Sequence, residues 1–92
     1  MNLQDKVIVI TGGGQGLGRA MALYLADKGA IPALIDMNPQ ALDETVGLCL
    51  EKGIQARAYV ANIASEDEVE TTFAKIVEEC GSIDALINNA GI

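Results

Sequence analysis

The segment Lys6-Val-Ile-Val-Ile-Thr11-Gly-Gly-Gly-Gln-Gly-Leu-Gly18 decides the fold of this chain. Its β-branched run is typical of a parallel strand that is buried on both faces. Glycines follow, and the pattern of residues 16–28 then predicts a helix that ends at Gly29. A buried strand that passes through glycines directly into a helix indicates an α/β fold.

Three further strands continue this alternation, so that the predicted strands are Lys6–Thr11, Ile31–Asp36, Gln55–Ala61 and Ile83–Asn88. Right-handed crossover connections then give a mostly parallel sheet with helices on both faces. We therefore expect a three-layer α/β fold of the Rossmann type with strand order 3-2-1-4. The fourth strand would be an apolar edge in that order, and such an edge invites pairing with another chain. Residues 1–92 alone are accordingly expected to be marginally stable.

The second and third helices carry start signals in the sequence. Asn38 is suited to be an N-cap, and Pro39 to occupy the first helical position after it. Ser65 and Glu68 have the spacing of a capping box, in which hydroxyl and carboxylate satisfy each other's backbone N–H groups. Both features place helices between the predicted strands.

Composition and charge exclude several classes of function. The net charge of −7 over 92 residues argues against nucleic acid or an anionic membrane as a partner. The absence of His rules out a zinc site or catalytic dyad built on that residue, and we predict no metal site. Cys49 and Cys80 fit no CxxC spacing and are interpreted as buried thiols. The apolar run Val7–Ile10 is too short for a signal peptide or membrane span, so a cytoplasmic location is expected.

The glycine turn has the spacing G-x-x-x-G-x-G, with Gly12, Gly16 and Gly18 at its fixed positions. Gly12 permits a tight turn, Gly16 lets a ligand approach the backbone, and Gly18 lets the helix pack against the strand. Free N–H groups and the dipole at the start of the helix attract an anion. The turn therefore predicts a diphosphate site. The alternative is a tight turn without a ligand. In that case the four glycines of residues 12–16 would cost conformational entropy without any compensating interaction.

Asp36 strengthens this interpretation, because it ends the second strand 18 residues after Gly18. A carboxylate there can accept hydrogen bonds from both hydroxyls of an adenosine ribose and repels a 2′-phosphate. Gln15 and Met37 are neutral, whereas an NADP site favours a basic residue nearby. NAD is therefore preferred over NADP. The alternative role of Asp36 is that of a strand-end turn former leading into Asn38.

The motifs Thr11-Gly-x-x-x-Gly-x-Gly18 and Asn88-Asn-Ala-Gly91 stand at the ends of the first and fourth predicted strands. With both in place, the sequence resembles the short-chain dehydrogenase/reductase family over all 92 residues. Within that family it is similar to 3-oxoacyl-acyl-carrier-protein reductases and their NAD-using relatives. The resemblance implies an oxidoreductase that moves a hydride between nicotinamide and a carbonyl or secondary alcohol, carried by a small molecule or by an acyl-thioester substrate, and that assembles as a homo-oligomer.

The resemblance also implies where the cofactor would lie. The diphosphate is expected along the glycine turn, the adenosine ribose beside Asp36 and Met37, and the adenine beside Asn62 and Ile63, where the family commonly has Asp-Val. The Asn carbonyl keeps an acceptor for the adenine amino group. Asn88 is expected to tie strands together. The full expected cofactor-binding set is Gly12, Gly14, Gln15, Gly16, Leu17, Gly18, Asp36, Met37, Asn62, Ile63, Asn89, Ala90 and Gly91.

No catalytic residue is assigned within the chain. The family's Ser, Tyr-x-x-x-Lys and supporting Asn would all follow Asn-Asn-Ala-Gly, so residues 1–92 are interpreted as the N-terminal dinucleotide-binding half of one Rossmann domain, inactive by itself. Tyr24-Leu-Ala-Asp-Lys28 has the catalytic spacing. We reject it because Tyr24 is expected on a packing face of the first helix, far from the nicotinamide.

Two other functions compete with an oxidoreductase. One is a non-catalytic NAD-binding module or sensor, which a Ser and a Tyr-x-x-x-Lys after Ile92 would rule out. The other is an S-adenosylmethionine methyltransferase, which also pairs a glycine turn with an acid on the second strand. The glycine spacing and the Asn-Asn-Ala-Gly motif weigh against the methyltransferase.

Overall fold

The computed structural model describes residues 2–90, in which strands and helices alternate along the chain. The elements are β1 (Val7–Thr11), α1 (Gly16–Asp27), β2 (Ile31–Asp36), α2 (Pro39–Glu51), β3 (Arg57–Val60), α3 (Glu66–Cys80) and β4 (Ala85–Asn88). No helix within this part of the chain combines the length and the apolar character needed to cross a membrane.

The four strands form one parallel sheet in the order β3-β2-β1-β4, which confirms the predicted topology. Thr11 lies opposite Ile35 on one side and Asn88 on the other, and Asp36 lies opposite Val60. Because all strands run the same way, their carboxyl ends meet along one edge of the sheet. In open parallel sheets this edge is where ligands bind.

Side chains of β1 alternate between two apolar clusters on opposite faces of the sheet, which explains its continuous β-branched sequence. Ile8 and Ile10 belong to the cluster that includes Leu34 of β2 and residues of α1 and α2. Val7 and Val9 belong to the cluster on the other face, which contains residues of α3. Helices therefore cover both faces of the sheet.

The outer strands are shorter than predicted. β3 begins at Arg57 rather than Gln55, because the N–H of Ile54 donates to the carbonyl of Cys49 (3.1 Å) and closes the end of α2. β4 begins at Ala85 rather than Ile83, because Asp84 pairs with Val7 before the ladder starts. The Asp84 Oδ2 accepts the Val7 N–H and the Asp84 N–H donates to the Val7 carbonyl, both at 2.8 Å.

The predicted helix starts are confirmed at α2 and half confirmed at α3. Asn38 Oδ1 accepts the Ala41 N–H at 3.0 Å, and Ser65 Oγ accepts the Glu68 N–H at 3.3 Å. The second half of the capping box is wrong, because Glu68 Oε1 accepts the N–H of Asn62 at 3.0 Å. The Ser65 N–H donates instead to the Asn62 carbonyl. The carboxylate thereby ties the loop after β3 to α3.

The side of the sheet beyond β4 is apolar and uncovered in the part of the chain that the structure describes. Leu86 of β4 is 50% exposed, which agrees with the expected apolar edge. Tyr24 was expected on a packing face, and this is wrong, since it is 61% exposed. Its ring lies under Lys28 Nζ at 5.4 Å and lines an apolar cavity of about 360 Å³ with Met21 and Ile87. The cause is that α1 reaches past β1 to the uncovered β4.

Candidate functional site

The turn between β1 and α1 presents backbone N–H groups at the carboxyl edge of the sheet. Gly12 and Gly16 have φ of 69° and 59°, in the left-handed region that favours glycine. The Gly12 N–H donates to the Ile35 carbonyl at 2.7 Å, which anchors the turn to β2. Gln15 is the N-cap of α1, but its side chain makes no capping hydrogen bond. The first N–H groups of α1 therefore keep their capacity to bind an anion.

Gly16 and Gly18 face opposite surroundings. A Cβ on Gly16 would have no atom within 4 Å, so the backbone there is open to a ligand. A Cβ on Gly18 would overlap the carbonyl oxygen of Gly12 and approach Asn89 Nδ2 to 3.0 Å. The absence of a side chain at Gly18 thus lets α1 pack against the turn. Both geometries agree with the roles that the spacing predicts.

Asp36 ends β2 with its carboxylate directed at the glycine turn. Its Oδ2 accepts the Gly14 N–H at 3.0 Å, and its Oδ1 accepts the Asn38 N–H at 3.2 Å. The bond to Asn38 is the turn-forming role considered as an alternative. Each carboxylate oxygen can accept a further hydrogen bond, so the structural role leaves acceptors for a ligand.

A cavity of about 270 Å³ lies beside the turn at the ends of β1, β2 and β3. Met37 stands at its rim and is 64% exposed. Asn62 Oδ1 accepts the Ala64 N–H at 3.0 Å, which uses one of its two acceptor positions. The lining residues are Gly12, Ile35, Asp36, Met37, Ala61, Asn62, Ile63, Ala64 and Ala90. The structure therefore brings the first glycine of the turn and the expected ribose and adenine residues to one cavity, whereas residues 14–18 of the turn do not line it.

The loop after β4 is tied to the glycine turn through Thr11. The Thr11 hydroxyl donates to Asn88 Oδ1 at 2.9 Å and accepts the Ala90 N–H at 3.1 Å. Asn89 Nδ2 donates to the Gly12 carbonyl at 3.3 Å. Asn88 and Asn89 thus hold the strand ends together, the role expected of Asn88. Gly91 lies outside the described residues.

Thr11, Arg19 and Thr45 are three residues of this region that the sequence analysis did not assign. Thr11 is 2% exposed, and its signal was a hydroxyl at the end of an otherwise aliphatic strand. Arg19 Nη2 donates to the Gly14 carbonyl at 2.7 Å, and Thr45 Oγ1 donates to the same oxygen at 2.9 Å. The signal for Arg19 was a cation in the first turn of a helix, where the helix dipole disfavours it.

The cavity beside the glycine turn is lined mainly by apolar side chains and backbone. Asp36 is the one titratable residue among the described residues that line it. Tyr24 lines the separate cavity between α1 and β4, which supports rejecting it as a catalytic group.

The titratable groups with shifted pKa values belong to the core. Burial raises the pKa of the Cys49 thiol, and the nearby charge of Lys52 offsets part of that rise. Burial also raises the pKa of Tyr59, and the hydrogen bond from its hydroxyl to Glu79 Oε1 (2.8 Å) adds to the effect. Neither group lines the cavity beside the glycine turn.

The sheet is parallel, an uncapped glycine turn follows β1, and a carboxylate ends β2. These features together define the class of Rossmann-type dinucleotide-binding folds. Within this class, the chain belongs to the short-chain dehydrogenase family, whose family model matches residues 6–92. Levodione reductase of Leifsonia aquatica is 41% identical over 90 residues, covering 96% of this chain and 34% of the relative. The short-chain dehydrogenase/reductase homolog YusS of Bacillus subtilis is 38% identical over 93 residues, covering 100% of this chain and 85% of that protein.

Solved structures give the same result. The crystal structure of NAD⁺-bound xylitol dehydrogenase is similar with a TM-score of 0.89 and 41% identity, covering 94% of this chain and 33% of that chain. A hydroxysteroid dehydrogenase from Escherichia coli is similar with a TM-score of 0.90 and 32% identity, covering 95% of this chain and 37% of that one. The chain spans about a third of the length of most of the curated relatives that it matches.

Proposed function

We propose that this chain is the NAD(H)-binding half of a short-chain dehydrogenase/reductase, with residues 1–92 forming the first part of a single Rossmann domain. The observation that carries the proposal is the position of Asp36. Its carboxylate lies at the end of β2, lines the cavity and accepts the N–H of Gly14 in the glycine turn. One carboxylate thus adjoins both the predicted ribose site and the predicted diphosphate site.

The residues present fit a dinucleotide. The diphosphate would lie against the backbone from Gly14 to Gly18, where Gly16 leaves open space and no side chain caps α1. Leu17 is 60% exposed and is available to cover the cofactor. Asn89, Ala90 and Gly91 would contact the nicotinamide-side ribose. The bound nicotinamide would supply the hydride acceptor or donor, while these residues bind and orient the cofactor.

Asp36 also supports NAD over NADP. Its negative charge would repel a 2′-phosphate, and Met37 and Gln15, the two positions considered for a basic residue, are neutral. Similar proteins support the same cofactor, because xylitol dehydrogenase was solved with NAD⁺ and an NADH-dependent reductase, 33% identical to this chain, was solved with NAD.

We further propose that the intact protein oxidises a secondary alcohol or reduces a carbonyl. Its relatives include a levodione reductase and an estradiol 17-beta-dehydrogenase, whose names describe a carbonyl reduction and a secondary-alcohol oxidation. A 3-oxoacyl thioester is one candidate substrate within the class. We propose that the catalytic groups lie outside residues 1–92 and that residues 1–92 alone are inactive. A homo-oligomer in the cytoplasm is proposed for the intact protein.

A second candidate is a non-catalytic NAD-binding module. The similarity to YusS favours it, because this chain covers 85% of that protein, so a relative of nearly the same length exists. Turnover of alcohols by the intact protein with NAD⁺ would exclude the module.

The test is a titration of the intact protein with NAD and NADP, together with the variant Asp36→Asn. The wild type is expected to bind NAD more tightly than NADP. Asp36→Asn should weaken NAD binding by about 10- to 100-fold, because hydrogen bonds to a charged group contribute about 1.5–3 kcal/mol. Asp43→Asn removes an exposed carboxylate from α2 and is the matched control, expected to bind like the wild type. Equal wild-type affinity for both cofactors would overturn the assignment of Asp36.

A further inference from the structure

The carbonyl oxygen of Gly14, in the middle of the glycine turn, is held by two side chains. Arg19 donates to it from Nε at 3.1 Å and from Nη2 at 2.7 Å. Thr45 donates to it from Oγ1 at 2.9 Å. Two N–H groups of the planar guanidinium therefore donate to one oxygen, and the Thr45 hydroxyl of α2 donates to the same oxygen.

Thr45 is fully buried, with 0% exposure, in a helix otherwise packed on the apolar core. Its oxygen shares the single Nε–H of Arg19 with the Gly14 carbonyl, at 2.9 Å and 3.1 Å. Its own proton is within reach of two acceptors, the Gly14 carbonyl at 2.9 Å and the Ala41 carbonyl at 3.1 Å. A buried hydroxyl without such partners would destabilise the fold.

Arg19 connects three elements. Its side chain reaches from α1 to the turn at Gly14 and on to α2. The two N–H groups of Nη2 are shared among three acceptors, which are the Gly14 carbonyl, the Ala41 carbonyl at 3.2 Å and Glu44 Oε2 at 3.1 Å. The Gly14 N–H meanwhile donates to Asp36 at 3.0 Å. Both the N–H and the carbonyl of Gly14 are thus hydrogen-bonded to neighbouring elements. These bonds restrict a residue type that otherwise has the greatest backbone freedom.

We propose that Arg19 and Thr45 are positioning residues that order the glycine turn before the cofactor arrives, an inference that rests on the proposed function. Neither side chain needs to touch the cofactor for this role. They fix the plane of the peptide after Gly14 and hold the turn against Asp36. Cofactor binding then does not carry the entropic cost of ordering the turn, so the free energy of binding is more favourable by that cost.

The first experiment compares two ion pairs that both join α1 to α2. Arg19–Glu44 contacts the turn, whereas Lys52–Asp27, at 2.8 Å, lies at the other end of the helices. Arg19→Met in the intact protein is expected to raise the Kd for NAD by about tenfold, the cost of reordering about one backbone residue. Lys52→Met is the matched control, expected to change the Kd less than twofold. An unchanged Kd in Arg19→Met would overturn the proposal.

A second pair of variants separates positioning from general stability. Thr45→Val removes the hydroxyl and should weaken NAD binding, whereas Thr45→Ser keeps it and should restore affinity to within about twofold of the wild type. If both variants bind NAD equally while their stabilities differ, Thr45 is structural only and the proposal is wrong.

A third measurement needs no cofactor. The Gly14 amide should exchange its hydrogen about tenfold faster in Arg19→Met than in Lys52→Met, because the turn opens more often. Equal exchange would contradict the proposal even if NAD binds. If wild-type protein binds no NAD and Gly14 still exchanges faster in Arg19→Met, the proposed function fails while the ordering role stands.

Discussion

Replacing Gly18 with Ala tests how closely α1 packs against the turn that precedes it. The added Cβ would overlap the carbonyl oxygen of Gly12 and lie 2.7 Å from the carbonyl carbon. Both atoms are backbone, so they cannot rotate away as the end of a side chain would. Either α1 or the turn between β1 and α1 must move.

The magnitude follows from two opposing effects. Overpacking typically costs about 1–3 kcal/mol, and a rigid backbone contact places this case near the upper limit. Ala in place of Gly inside a helix returns about 1 kcal/mol. We therefore expect Gly18→Ala to lower the free energy of unfolding by about 2 kcal/mol, a large share of the roughly 5–15 kcal/mol of a typical domain.

Gly47→Ala is the matched control. Gly47 lies within α2, and a Cβ added there would have no atom within 4 Å. The same chemical change should therefore raise the free energy of unfolding by about 0.5–1 kcal/mol. Urea unfolding of the intact protein, followed by far-ultraviolet circular dichroism, measures both variants. If Gly18→Ala is as stable as Gly47→Ala, the close approach of Gly18 to Gly12 does not constrain the fold and the reasoning fails.

Two further predictions concern the core. Burial raises the pKa of the Cys49 thiol, whereas Cys80 is half-buried. Iodoacetamide should therefore alkylate Cys80 in the folded protein and Cys49 only after unfolding, which peptide mass spectrometry can measure. Equal labelling rates for the two thiols would contradict the burial of Cys49. Burial and the hydrogen bond to Glu79 raise the pKa of Tyr59 above its ordinary value of 10.0. The Tyr59 hydroxyl therefore contributes its full stabilisation below pH 10.0, and this stabilisation is lost as the pH rises above that value. The difference in free energy of unfolding between wild type and Tyr59→Phe should be constant below pH 10.0 and shrink above it, and a difference that is independent of pH would refute the linkage.

Local sequence patterns predicted the structure correctly where backbone geometry alone decides it. The β-branched run around Val9 can be accommodated only between two covered faces, and the structure buries it completely. Asn38 caps α2 because its short side chain reaches the N–H three residues later, an interaction within one turn. The strand order follows from right-handed crossovers between parallel strands.

Local patterns failed where the outcome depends on the path of a loop or on what covers an edge of the sheet. The Glu68 carboxylate had the spacing for the Ser65 N–H but bonds to Asn62, because the loop after β3 brings that N–H within 3.0 Å. The helical pattern of α1 placed Tyr24 on a packing face, yet its exposure depends on what covers β4. Neither outcome is encoded in the spacing of nearby residues.

The sequence by itself determined the order of the elements, the parallel sheet and the glycine turn with a carboxylate on the next strand, because each depends on backbone geometry within a few residues or on chain handedness. Only the tertiary structure showed that Asp36 holds Gly14 from one side while Arg19 and Thr45 hold it from the other. Those hydrogen bonds join residues up to 31 positions apart. Their existence depends on how α2 packs beside the turn, and that packing is decided by the whole apolar core.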